Sequence, residues 1–257
     1  MKFGICADIK DALILSESGF DFIEVNVQSH LKPLADENLF QAELDKILSS
    51  PLPVLAANCL FPREIKVTGP EFNPEKLENY VRTACERASQ AGIKTIVFGS
   101  GAARNIQENF DRREAMKQLL DFGKMAGKTA GKYKIIIAVE PLNRQECNVF
   151  NTVDECGQYV RKINHPNIRL LVDSFHWSKE QKKTKDIEKY PDIISHVHIA
   201  TYGSRLAPGL EPCDFSDFIQ SLRNIGYDGL ISVEGHIKNI SADASQIIRE
   251  LKKITKY

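Results

Sequence analysis

Eight short apolar runs, each separated from the next by an amphipathic stretch, constrain this chain more than any other feature. They cover residues 3–7, 20–27, 54–60, 95–99, 135–140, 168–173, 194–200 and 230–234. Most are apolar throughout instead of alternating, which is the pattern of strands buried on both faces in a parallel sheet. Between the runs, apolar residues recur at helical spacing. In the clearest case Asn73 suits an N-cap and Pro74 the first helical position, while Leu77, Val81, Ala84, Ala88 and Ala91 share a face that Gly92 terminates. Residues 111–132, 214–224 and 242–254 are further expected helices. Strand and helix repeat over 257 residues with no Gly/Ser linker and no change of composition, which predicts an α/β chain folded as a single-domain (β/α)8 TIM barrel over residues 1–257. A doubly wound open sheet would carry a glycine-rich phosphate turn after its first strand. Here Asp8-Ile9-Lys10-Asp11-Ala12 follows, without glycine, and Gly99-Ser100-Gly101 reads as a tight turn more readily than as a phosphate cradle.

The last four runs share a second property: each ends on a plausible metal ligand. Glu140 follows Ala138-Val139, Asp173 follows Leu171-Val172, His198 follows His196-Val197, and Glu234 follows Ser232-Val233. A carboxylate in such apolar company is costly unless something pairs with it. Active sites of TIM barrels lie at the C-terminal strand ends, so these four side chains are expected to converge there. Three carboxylates and one imidazole form a hard, oxygen-rich set for one divalent metal ion, best suited to Mn2+, with Mg2+, Co2+ and Zn2+ as alternatives. His196 lies two residues before His198 and points the same way; it reads as a hydrogen-bonded core histidine in the layer beneath.

Composition narrows the remaining classes. Lys+Arg and Asp+Glu both number 34, for a net charge of +0, so no electrostatic case exists for a nucleic-acid partner. No apolar run approaches membrane-spanning length. The first residues read as a strand and lack the apolar core of a signal peptide. The six cysteines are scattered without a Cys-x-x-Cys pair, which points to reduced thiols and a cytoplasmic protein.

Four ordered motifs carry a resemblance that spans nearly the whole chain: Glu140-Pro141-Leu142-Asn143-Arg144, Asp173-Ser174-Phe175-His176, His196-Val197-His198, and the stretch from Gly226 to Glu234. Together they resemble the xylose-isomerase-like TIM-barrel superfamily. The similarity is to its sugar phosphate isomerase/epimerase branch, which includes D-tagatose and D-psicose 3-epimerases, hydroxypyruvate isomerase and inosose isomerases. The resemblance implies that Glu140, Asp173, His198 and Glu234 bind the metal, and that Glu140 and Glu234 transfer protons on opposite faces of the substrate. It further implies that His176 and Arg205 contact substrate hydroxyls, that Glu146 sits beside substrate and the first catalytic glutamate, and that the assembly is a homodimer or homotetramer. A small sugar or keto-polyol is the expected partner.

The chemistry is coherent without the family. Removing a proton next to a carbonyl forms an enediolate, whose charge on two oxygens a divalent cation stabilises. Reprotonation of the same carbon from the other face epimerises it, and reprotonation of the neighbouring carbon isomerises the sugar. The first half of the chain is less decisive. Glu24 reads either as a ligand of substrate hydroxyls or as a strand-end structural ion. Asn58 is a candidate lining residue, Phe61 and Trp177 are either apolar walls or ordinary packing, and Lys66 reads as a solvated charge. Glu211 stands where it could reshape the pocket mouth. A dehydratase of a keto-polyol such as an inosose is the rival enzyme reading. An endonuclease IV-like repair enzyme is disfavoured, because the third and fourth runs lack the histidines it requires.

Overall fold

The computed structural model describes residues 1–180 and 183–256. The eight strands are β1 (Lys2–Cys6), β2 (Phe22–Asn26), β3 (Val54–Asn58), β4 (Thr95–Phe98), β5 (Ile136–Val139), β6 (Ile168–Asp173), β7 (Ile194–Ile199) and β8 (Leu230–Val233). Each pairs in parallel with its sequence neighbours, and β8 returns to β1 through the register Lys2↔Leu230 to Ile5↔Val233. The sheet is therefore a closed parallel barrel, as the eight runs predict, and it leaves no open edge.

The principal outer helices are α1 (Ala12–Ser18), α2 (Glu37–Leu48), α3 (Pro74–Gln90), α5 (Arg112–Lys132), α6 (Val153–Ile163), α9 (Ser216–Asn224) and α10 (Ile240–Thr255). Three shorter ones, α4 (Gly101–Arg104), α7 (Ser174–Lys179) and α8 (Thr184–Glu188), lie after β4 and β6. The anticipated caps form. The Asn73 side chain accepts from Lys76 N, and Gly92 takes a φ of +76°, a left-handed turn that glycine adopts without penalty. Asp111 caps α5 by accepting from Glu114 N. No helix among the described residues is long and apolar enough to cross a membrane.

Why the strands are apolar throughout is visible in how the core divides. Ile137, Val139, Leu170, Val172, Val197 and Ile199 belong to the large cluster shared with the helices, whereas Val97, Ala138 and Leu171 form a separate buried group. Ala138 and Leu171 lie two residues below Glu140 and Asp173, so they face the lumen under the strand-end ligands. Farther down, Gly4 makes room for the Phe22 ring, which a β-carbon at that position would strike. Apolar plugging of the lower lumen leaves its upper end for polar groups.

Candidate active site

At the C-terminal mouth, Asp173 is the last residue of β6, His198 lies on β7, and Glu140 and Glu234 immediately follow β5 and β8. One ligand atom from each of the four lies within 4.8 Å of the others. His198 Nδ1 is 3.1 Å from Glu140 Oε1 and 3.4 Å from Glu234 Oε2. The opposite ring nitrogen, Nε2, is 2.9 Å from Glu24 Oε1. A proton held between Nε2 and Glu24 keeps Nδ1 facing the cluster, able to ligate once the ring is neutral, the arrangement by which a carboxylate sets the tautomer of a ligating imidazole.

Asp173 divides its two oxygens. Oδ1 caps α7 by accepting from His176 N at 2.7 Å, while Oδ2 is buried with no partner. Burial, reinforced by the charges of Glu140 and Glu234, pushes the Asp173 carboxyl up to about 8. Burial and Glu234 also raise Glu140. For Glu234 burial works in the same upward direction, but His198 and Arg205 outweigh it and hold the group down to about 2. His198 is pulled down by burial yet ends well above the usual histidine range, because Glu24 and Glu234 favour its charged form. An orphaned carboxylate oxygen, a ring nitrogen aimed at three acids, and mutual repulsion among those acids fit a divalent cation.

A second set of side chains lines the same mouth. His176 is fully buried; its Nδ1 accepts from the Asn143 main-chain nitrogen at 3.1 Å and lies 2.9 Å from Asn143 Nδ2, while Nε2 has no partner. Burial, aided by Arg205, lowers His176 to about 3, so the ring is neutral with Nε2 as its donor. Glu146 Oε1 accepts from Asn143 Nδ2 at 3.0 Å and from Arg205 Nη1 at 3.3 Å. Arg205 Nη2 donates to Glu234 Oε2 at 2.6 Å, and its guanidinium lies 5.0 Å from the centre of the Phe175 ring. Residues after three strands, Cys59, Ser100 and Arg205, take positive φ values of 55°, 28° and 54°. Such backbone costs free energy in non-glycine residues and tends to gather at functional sites.

Glu24 lies one layer lower, fully buried. Besides its contact to His198, its Oε2 is 2.7 Å from His196 Nε2 and accepts from Ser232 Oγ at 2.6 Å. Both oxygens are thus engaged by protein, the environment of a buried structural ion rather than of a group offered to substrate. Its carboxyl is held well below the usual range, since the two histidines overcome the opposing effect of burial. His196 is in the same layer as a hydrogen-bonded core residue. Asn58 is buried at the end of β3.

Other candidates are engaged elsewhere. Phe61 packs against Tyr80, Phe98 and Phe122, and Trp177 against Tyr202 and Phe218. Lys66 Nζ donates to the carbonyls of Arg63 and Ala102, tying two loops together instead of standing free in water. Glu211 folds back onto its own loop, accepting from Thr201 Oγ1 and Ser204 N. Two residues read from sequence only as part of a turn and of a motif, without a site role, matter here. A β-carbon on Gly99 would collide with Glu140 Oε2, so only glycine leaves that carboxylate its place. Asn143 orients both His176 and Glu146; its position directly after Glu140-Pro141-Leu142 was the available signal.

With this geometry in view, the comparisons with known proteins are informative. A D-psicose 3-epimerase of Enterocloster bolteae is 28% identical over 144 residues, covering 56% of this chain and 46% of that protein. A putative hydroxypyruvate isomerase of Xenopus laevis is 25% identical over 232 residues, covering 85% and 81%. The chain spans about half the length of the first sugar epimerases it matches, 46% and 50% for two of them. Among solved structures, the 3-keto-D-glucoside 4-epimerase YcjR of E. coli superposes with a TM-score of 0.80 at 20% identity over 99% of this chain and 98% of that one. The IolI protein with a bound zinc atom gives 0.75 at 20% identity, over 99% and 96%. The family described as "Xylose isomerase-like TIM barrel" matches residues 13–256, and the chain belongs to it.

Proposed function

We propose that this protein is a divalent-cation-dependent isomerase or epimerase acting on a ketose or related keto-polyol, with Glu140 and Glu234 as its acid/base pair. The observation that carries the reading is the convergence of Glu140, Asp173, His198 and Glu234 within 4.8 Å. The kinship with sugar epimerases supports it. Mn2+ is the preferred ion for this donor set, with Mg2+, Co2+ and Zn2+ as alternatives. When bound, it supplies Lewis acidity to a carbonyl and the hydroxyl beside it.

The chain's own residues do the rest. Glu140 and Glu234 end strands three apart around an eight-stranded barrel, so they approach a substrate from different walls. One takes the proton next to the carbonyl and the other returns one, a step that general acid–base catalysis accelerates by roughly 10²–10⁴. His176, neutral with its Nδ1 already accepting, offers the Nε2 proton to a substrate oxygen. Arg205 neutralises Glu234 and presents its remaining donors to hydroxyls, and Glu146 holds Arg205 and faces the mouth. Glu24 serves from beneath by fixing the His198 ring.

The decisive experiment incubates a panel of ketoses and keto-inositols with Mn2+ and the protein in deuterated water, read by NMR. Deuterium at an inverted carbon establishes epimerisation, and deuterium with a moved carbonyl establishes isomerisation. Loss of water from the substrate would replace this reading with the dehydratase. No exchange into any member of the panel would contradict it.

A further inference from the structure

Arg104 is the largest fully buried side chain among the described residues, and its hydrogen bonds go to main-chain carbonyls. Nη1 donates to the carbonyl of Phe98 at 3.0 Å and Nη2 to the carbonyl of Glu140 at 2.6 Å, while Nε has no partner. The guanidinium carbon also lies 5.5 Å from the Phe98 ring centre and 5.8 Å from that of Phe150. Burying a guanidinium in this way is costly, and lone main-chain carbonyls repay little of it. A surface-tethering role could be filled by a neutral donor.

The location explains the choice. The two carbonyls belong to the end of β4 and to Glu140 itself, where Glu140 N also donates to Phe98 O at 3.2 Å. Arg104 reaches them because α4 is a single turn beginning at Gly101, where a β-carbon would crowd the Glu146 carbonyl. The guanidinium therefore clamps the two strand ends, with one bond to the main chain of Glu140 itself.

We propose that Arg104 is a positioning residue for the metal centre, fixing the Glu140 carboxylate through its main chain. This rests on the metal-dependent reading above. Calorimetric titration with Mn2+ tests both and separates them. Wild-type protein that binds no Mn2+ would remove the reading and this inference with it. If wild type binds, Arg104→Met is expected to weaken Mn2+ about 10–100-fold, the range for residues that orient ligands from behind. Arg104→Lys, which retains the charge and one donor, should recover part of that loss. In the Glu140→Gln background, Arg104→Met should add nothing further, since its effect passes through Glu140. Wild-type affinity in a folded Arg104→Met, or losses that simply add in the double variant, would overturn the inference. Should Arg104→Met fail to fold, Arg104→Lys decides alone: a lowered kcat at unchanged KM with weaker Mn2+ supports the role, and unchanged values of all three refute it.

Discussion

The two halves of the barrel contribute to its mouth in opposite ways. Strands β5 to β8 deliver the proposed metal ligands, one per strand end. Strands β1 to β4 deliver Cys6, Glu24, Asn58 and Gly99: a thiol, a buried carboxylate held by two histidines and a serine, an amide and an absence of side chain. In the proposed mechanism one half does the chemistry, and the other provides clearance and orientation. Groups of the second kind act through the first, so changes there should weaken the centre by degrees while changes in the ligands abolish it.

Glu234→Gln is the strongest break expected. It removes a ligand charge and a proton carrier together, and turnover should fall by about 10³-fold or more, read as initial rate on whichever ketose exchanges deuterium. Gly99→Ala tests the clearing half. The added methyl meets Glu140 Oε2, and displacement of a reacting group by about 1 Å can cost on the order of 10²-fold in rate; wild-type kcat would show that the carboxylate has other room. Glu24→Gln keeps the size but loses the charge that sets the His198 tautomer. Mn2+ affinity by calorimetry should drop about 10–100-fold, with the fold intact by circular dichroism.

The mildest effect concerns pH. Burial beside Glu140 and Glu234 pushes Asp173 up to about 8. A carboxyl raised on folding stabilises the metal-free protein fully below its unfolded value of about 4, and that contribution is lost as pH rises through about 8. His198, raised as well, acts in the same direction. A cation must displace these protons, so Mn2+ affinity should rise with pH, by about tenfold per unit for each proton released. The slope should be steeper below about 8 than above it. A flat affinity across that range would contradict this ionisation pattern.

The same contrast governs what could be read from the sequence. The barrel was legible because burial on both strand faces writes apolar runs, and each ligand was legible because it interrupts one. Boundaries were less so: the run at 20–27 yields a strand only over Phe22–Asn26, since Asn26 caps a π-helical turn that begins at Val27. Arg104 and Gly99 were not legible, because their meaning depends on how closely two strand ends approach. The lone arginine after Gly101-Ala102-Ala103 was the one hint, small residues clearing a path for a buried cation. Glu24 showed itself as an acid after an apolar run, but only the position of the two histidines on β7 decides what it does.

Crystals grown with Mn2+ and recorded at the manganese absorption edge test the central claim most directly. The account predicts one anomalous peak about 2.0–2.3 Å from carboxylate oxygens of Glu140, Asp173 and Glu234 and from Nδ1 of His198, close to the bond lengths typical of carboxylate and imidazole ligands on a divalent ion. A peak elsewhere, or none at saturating Mn2+, would contradict it.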